Sequence, residues 1–395
     1  MGWLLVAVSV LAVAGLGVTW LAPSDHDARV AAQVRHLAGV DAAAALSMQQ
    51  AFPEGELFTY LLAGLAAGER ARAATDMPTR RAYLDLVQRS LDAVRADHVR
   101  ARFGTIPALD GGIFYRGWTL LLETYLATVD DGSGRRAEHL PQAAADAQAI
   151  VQAIAASPSG FVASYPDQYW PCDTVVALAA VVRLRGDASG LFAWDPGNWV
   201  ARVAAHRDPT TGLLPHQVDA TGALLAGSRG SSQTIIQTFW PDLTDSRDDW
   251  ARFTDLFVTR EVGLVGVREH PRGSSGAGDV DSGPLLLGVS LSASAVGLAA
   301  ARANGDLALA ETLDREAEML GLPWEWNGAR SYALGLLPVG DAFLAWARSV
   351  PAGQPAPGTS PRPLWPLWAL PWLAVAVIGA IVLRSGPTAR RRPAP

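Results

Sequence analysis

The two ends of the chain constrain its folding most. Residues 2–21, GWLLVAVSVLAVAGLGVTWL, and residues 364–383, LWPLWALPWLAVAVIGAIVL, are each about twenty apolar residues, the length that crosses a bilayer core as a helix. Trp365, Trp368 and Trp372 fit one membrane interface, and Arg384, Arg390, Arg391 and Arg392 lie beyond the other end. The positive-inside rule makes residues 384–395 a cytoplasmic tail, so the intervening body faces outward from the cell membrane. No basic residue precedes the first segment and no small-x-small cleavage site follows it. Residues 1–25 therefore read as an uncleaved signal anchor ahead of a cleaved signal peptide, giving a two-pass or a single-pass protein.

The body between these segments is roughly 330 residues, enough for one domain with a substantial core. Half of the chain is hydrophobic, which excludes extended disorder in the middle. Net charge is −6 with no basic stripe, which argues against nucleic acid as a partner. Cys172 is the single cysteine, so an outward-facing body holds together by packing without an internal disulfide. No GxxxxGKS or GxGxxG pattern is present, and no nucleotide cofactor is implied. The seven histidines are dispersed, with no HExxH and no CxxC, so no metal site is expected. His216 and His270 read as surface histidines that could alternatively reach a pocket.

Between the ends the periodicity predicts helix after helix: residues 27–46, 57–74, 78–103 (with Pro78 in the first turn), 113–129, 139–156, 173–184, 196–206, 231–239, 279–306, 307–320 and 330–350. Residues 210–230 read as a hairpin turning on Asp219-Ala220-Thr221-Gly222, and residues 259–271 as a short strand-like insertion. In 279–306, Ser282 or Gly283 would cap, Pro284 would take the first helical position and Gly305 the left-handed stop. Charged amphipathic helices alternate with small-residue, nearly uncharged ones, which implies an outer and an inner layer. Ser290, Ser292, Ser294 and Gly297 would let helices approach closely. The fold class expected is all-α: an (α/α)6 toroid over residues 27–350 with short β-hairpin insertions. Residues 351–363, PAGQPAPGTSPRP, form a semi-rigid proline-rich spacer to the C-terminal span.

The chemistry concentrates in residues 164–184, SYPDQYWPCDTVVALAAVVRL. A loop carrying Tyr165, Asp167, Tyr169 and Trp170 feeds an apolar helix through Pro171, with Cys172 and Asp173 at its start. Asp173 is either a pocket acid or the helix cap, a role Thr174 could share. Asp279 and Asp281 stand two apart, so extended backbone would point both carboxylates one way, and Asp281 would sit just before a helix start. The alternative is a solvated capping loop. Asp242 follows an aromatic–proline step much as Asp173 does. Two carboxylates across a pocket serve as acid and base in glycosidases, roughly 5 Å apart for retention and 6.5–9.5 Å for inversion. Of fourteen tryptophans, Trp118, Trp170, Trp240, Trp324 and Trp326 fall at helix starts or loops, where they stack on substrate or pack in the core. Arg116 beside Tyr115 is a candidate ligand for an anion or hydroxyl. Cys172 is a nucleophile or acid at a helix start, a pocket-lining group or a packed residue.

The phrases TGLLPH, RGSSQT, YPDQYWPCDT and DVDSGP, in a helical chain of this size, resemble those of six-hairpin (α/α) toroid enzymes over about residues 112–350. That group includes glycoside hydrolases. The nearest likeness is to the linalool dehydratase/isomerase-like branch and its membrane-anchored relatives. The resemblance implies the toroid fold, a site mixing acidic, tyrosine, histidine and cysteine side chains, matched here by Cys172 with Asp173, and a small-molecule or glycan substrate. Three functions follow as expectations: a cofactor-free enzyme acting on a glycan through Asp173 and Asp281, a hydro-lyase or isomerase using Cys172 with Asp173, or a toroid kept for binding.

Overall fold

In the computed structural model, residues 2–23, 25–185, 194–355 and 361–384 are described. Arg390, Arg391 and Arg392, and the middle of the proline-rich segment, lie outside them. The chain is mostly helical, 64% helix against 7% strand. The described helices are α1 (Gly2–Leu21), α2 (His26–Leu37), α3 (Ala42–Ala51), α4 (Gly55–Ala73), α5 (Met77–Val94) and α6 (Asp97–Arg100). Then come α7 (Gly112–Thr128), α8 (Arg135–Ala156), α9 (Pro171–Arg185), α10 (Pro196–Val203) and α11 (Gly230–Phe239). The last are α12 (Asp248–Phe257), α13 (Leu291–Ala303), α14 (Leu307–Leu320), α15 (Pro338–Ser349) and α16 (Leu370–Arg384).

Local chemistry explains most boundaries, including three that differ from the sequence reading. Residues 27–46 are two helices, because Asp41 caps a fresh start by accepting from Ala44 N at 2.8 Å. The helix expected over 279–306 begins only at Leu291, where Ser290 Oγ accepts from Ala293 N at 3.0 Å. Ahead of it, Leu285–Leu286 and Val289–Ser290 pair as a hairpin. The helix expected over 330–350 begins at Pro338, because Ala329–Ser331 pairs with Trp324–Trp326 across an Asn327-Gly328 turn. The helix Asp248–Phe257 has no counterpart among the expected elements. The hairpin on Asp219–Gly222 forms as expected (Gln217–Val218 with Leu224–Ala226), and Gly305 is left-handed at φ +72° beyond α13.

Helices α4, α7 and α9 are buried on nearly every face, and their small residues permit close contact. A Cβ on Gly117 of α7 would come within 2.7 Å of the Ala177 Cβ of α9. Helix α4 packs on α7 and α15, α7 on α9, α9 on α11, α11 on α13 and α13 on α15. Amphipathic helices back this layer: α5 on α4, α8 on α7 and α14 on α13. Rings fill its middle. Trp118 meets Phe58 (5.6 Å), Phe239 (5.7 Å) and Trp346 (5.9 Å), each edge-on and each from a different helix. Trp118 is therefore core.

A four-stranded sheet containing Val258–Glu261 and Leu264–Arg268 lies against α13 and α14. There Glu316, almost fully buried, accepts from Val265 N at 2.8 Å, and burial pushes its carboxyl up to about 8. A carboxyl raised by folding gives stability that is complete below its unfolded value near 4.5 and is lost as pH rises through about 8. Glu316→Gln is expected to remove that loss and to raise stability at pH 9 by a few kcal/mol, each tenfold change in proton affinity being worth about 1.4 kcal/mol. Thermal midpoints of both chains at pH 5 and pH 9 check this; a wild-type midpoint falling no more steeply than the variant's would refute it.

Two helical segments among the described residues, Gly2–Leu21 and Trp365–Arg384, are long and apolar enough to cross a membrane, with mean hydropathy 2.3 and 2.1. They pack on one another. The proline-rich segment starts docked on the body: Gly353 N donates to Arg302 O at 2.8 Å.

Candidate acid–base site

The loop before α9 is a tight turn. Gln168 N donates to Tyr165 O at 3.0 Å and Ser164 N to Gln168 O at 2.8 Å, with exposed Asp167 left-handed at its tip. Gly112, at φ +74°, lets α7 start against this loop, since a Cβ there would fall 2.2 Å from Ser164 O. Helix α9 then begins at Pro171, two residues earlier than expected. Asp173 is consequently no cap. It lies inside the first turn, its N–H donating to Trp170 O at 3.1 Å and its side chain 7% exposed.

Two other stretches of the chain approach Asp173 and its loop. Glu54, at the start of α4, accepts from the Tyr165 hydroxyl at 2.6 Å instead of capping its own helix. Cys172 donates weakly from its thiol to Asp173 Oδ1 at 3.8 Å. The second stretch is the turn holding Asp281, whose charge acts on Asp173. Asp279 Oδ1 accepts from the N–H groups of Asp281 and Ser282 at 3.0 Å each, so the backbone is a turn, not extended, and the other Asp279 oxygen pairs with Arg229. The serines of α13 hold this turn. Ser292 Oγ donates to Asp281 O at 2.6 Å, and Ser290 Oγ to Ser282 O at 2.8 Å. They are hydrogen-bonding groups, beyond the spacing role expected of them.

Burial pushes the Asp173 carboxyl up to about 7, and the charges of Asp281 and Glu54 add to it against a hydrogen bond from Ser164. At the first turn of a helix the dipole opposes this by about 0.3–1 kcal/mol. Raising a carboxyl from an ordinary value of 3.8 to about 7 corresponds to about 4 kcal/mol, so desolvation wins. Asp281 also rises to about 7, through burial and the charges of Asp279 and Glu54, with Arg229 opposing. Asp281 is nonetheless an exposed residue, with protein packed around its carboxyl group. Burial also raises the Glu54 carboxyl, the Tyr165 phenol and, strongly, the Cys172 thiol, which Asp173 and Asp281 raise further. Cys172 thus stays a thiol at neutral pH and is no thiolate nucleophile.

Asp279 behaves oppositely. Burial alone would raise it, but backbone N–H groups and a short ion pair with Arg229 hold it below the usual carboxylate range. His216 lies buried beside them, with Nε2 3.9 Å from Asp279 Oδ2; burial and Arg229 lower it to about 4. Glu269, pushed by burial to about 7, accepts from Ser231 N and Oγ at the start of α11. Sequence reasoning missed Glu54, Arg229 and Glu269. Glu54 carried the signal that singled out Asp173, an acid after a proline at a helix start.

Other anticipated residues lie elsewhere. Tyr115 is buried against Phe103 with its hydroxyl donating to Val94 O at 3.3 Å, and Arg116 pairs with Asp146 at 2.6 Å on the outer layer. Trp240 packs on Trp199 and Asp242 pairs with Arg183 at 2.9 Å, both beyond the C-terminal ends of α9 and α11, away from Asp173. Tyr169 and Trp170 do stay at the loop, Tyr169 in a backbone bridge to Val218 and Trp170 edge-on to Tyr165 at 5.5 Å. Trp324 and Trp326 are exposed on their own hairpin.

A cavity of about 420 Å3, lined by Arg70, Arg302 and Arg348 among others, opens at the C-terminal ends of α4, α13 and α15. A second of about 240 Å3 lies beside Trp199 and Arg202. Volume and acid–base chemistry therefore fall at different places. Two arginines around the first serve a helix end and buried acids, Arg302 Nε donating to Val350 O at 2.6 Å and Arg348 pairing with Asp314 and Glu318, so the carboxylate cluster is the better candidate site. No group of three or more metal-ligating side chains able to hold an ion occurs among the described residues. No family model matches the chain, and no curated protein matches it.

Proposed function

We infer that this is a membrane-anchored enzyme whose body lies outside the cytoplasmic membrane and acts on a glycan, with Asp173 and Asp281 as its acid/base pair. One observation carries the reading: Asp173 and Asp281, far apart in the chain, are each pushed to about 7, each feels the charge of Glu54, and Asp281 acts on Asp173. With both carboxyls pushed to about 7, a state with one protonated and the other ionised is populated near neutrality. One member then donates to a leaving oxygen while the other accepts from water or a hydroxyl. The rate should fall on the acid side as the base takes a proton, and on the alkaline side as the acid loses its own.

The six-hairpin toroid is part of the same proposal. It is supported by the order of helix contacts, which runs α4, α7, α9, α11, α13, α15 and back to α4, with amphipathic helices outside. Asp173, Glu54 and Asp281 would all open at the mouth formed by the N-terminal ends of that ring.

A hydro-lyase or isomerase acting on an apolar alcohol is the second reading. The observations favouring it are the Cys172 thiol on Asp173 and the exposed Val280, Leu286, Leu287 and Leu291 around the Asp281 turn. Full-length protein in nanodiscs, offered aryl glycosides and allylic alcohols in parallel, separates the two. Release of reducing sugar with a bell-shaped pH profile supports the glycan reading, and alkene formation without sugar release replaces it with the second. Binding of oligosaccharide with no turnover of either class would leave a non-catalytic toroid.

A further inference from the structure

The hairpin formed by Val258–Glu261 and Leu264–Arg268 turns on Val262 and Gly263, both with positive φ (+51° and +84°). A two-residue hairpin loop of that kind favours asparagine, aspartate or glycine first. Elsewhere in this chain the same turn carries Asn327-Gly328, at +48° and +72°, and Leu287-Gly288, at +53° and +83°. A β-branched residue in the left-handed region is a conformational outlier, and Val262 is moreover 65% exposed. Neither the backbone nor water favours valine here, and a compensating contact outside the folded body would account for it.

The surroundings of Val262 identify that contact. Its carbonyl accepts from Trp368 Nε1 at 3.1 Å, and Gly263 O accepts from Leu364 N at 2.7 Å, so the tip sits where the C-terminal apolar segment begins. Arg260 Nη1 donates to Arg362 O at 3.1 Å, and both arginines are exposed. Trp365 stacks on Trp20 at 6.1 Å, and Arg315 donates to Thr19 O at 2.6 Å, which fixes the end of α1 to the body at the same place. Tryptophans and arginines gathered where two apolar helices meet a folded body are the composition of a membrane interface.

We propose that the Val262 hairpin tip inserts into the lipid headgroup–acyl boundary as a third membrane contact, docking the body on the bilayer surface in one orientation. Val262 supplies the buried apolar group, Arg260 and Arg362 face lipid phosphates, and Trp20, Trp365 and Trp368 form the surrounding aromatic ring. The body then does not swing freely on its proline-rich segment, and the cleft at Asp281 is held at a set attitude to the membrane.

The test uses the full chain in nanodiscs of phosphatidylcholine and phosphatidylglycerol. A polarity-sensitive fluorophore is attached to the thiol introduced by Val262→Cys in a Cys172→Ser background. The same label, introduced by Leu225→Cys at the exposed edge of the other hairpin, is the solvent reference. The Val262→Cys label should be quenched several-fold more by lipids spin-labelled near the headgroup than by aqueous iodide. Strong iodide quenching with no lipid quenching would overturn the proposal. The unsubstituted chain gives the same answer by methyl NMR: the Val262 methyl signals broaden when spin-labelled lipid is added, or, against the proposal, stay sharp.

Discussion

Asp173→Asn and Asp281→Asn should each lower turnover by at least about a hundredfold, the usual loss when a general acid or base is removed. Folding should change by less than about 1 kcal/mol at neutral pH. Asparagine keeps the shape of each side chain, Asp173 caps no helix, and the Asp281 turn is held through its backbone by Asp279, Ser290 and Ser292. The two losses should also be strongly non-additive, because removing either member already disables the pair. A variant that unfolds readily yet keeps its activity per folded molecule would mark a structural acid. Glu54→Gln should act more mildly. It keeps the partner of the Tyr165 hydroxyl but removes a charge that raises both aspartates, which shifts the pH profile to lower pH.

Arg348→Met should cost about 3–5 kcal/mol and give the largest fall in thermal midpoint, because it strands buried charge. Arg348 is fully buried. Its Nε donates to Asp314 at 2.5 Å, Nη2 to Glu318 at 2.7 Å and Nη1 to Gln33 at 2.8 Å, with the Tyr332 hydroxyl also in contact. Burial alone would raise the Asp314 carboxyl, but Arg348 and Arg29 hold it below the usual range. A carboxyl depressed in this way stabilises above its unfolded value, and that stability is lost as pH falls through the folded one. Arg348→Lys should rescue little, since one ammonium cannot reach the partners that a guanidinium fork serves. Arg348→Met combined with Asp314→Asn and Glu318→Gln should recover part of the loss, by neutralising what was stranded. If the triple variant is no more stable than the single one, buried charge is not the cause.

How much was legible depends on the range of the physics involved. Helices α4, α5, α7, α9 and α14 follow from periodicity and punctuation, such as Asp76 capping α5 ahead of Pro78. The region before α13 misled because PLLLGVS is apolar enough for a buried helix, while a Leu287-Gly288 turn with positive φ at both residues makes it a hairpin. The Asn327-Gly328 signal was local and readable, but it fell inside a stretch that otherwise read as helical. At the site, Asp173 and Asp281 were findable as acids at element boundaries. That Glu54 joins them, and that Asp279 turns away to Arg229, depends on tertiary placement that spacing does not encode. Trp118 and Trp240 were ambiguous for the same reason: an aromatic ring at a helix start looks alike whether it meets substrate or the core.

The central claim is that Asp173 and Asp281 work as one acid/base pair, and carboxyl titration tests it most directly. Side-chain 13C NMR of Asp-labelled full-length protein, assigned with the two Asn variants, gives each apparent pKa between pH 3 and pH 9. The account predicts that both carboxyls titrate near 7, and that Asp281→Asn lowers the Asp173 value because a neighbouring negative charge is gone. Two carboxyls titrating independently near 4, with Asp173 unmoved by Asp281→Asn, would contradict it.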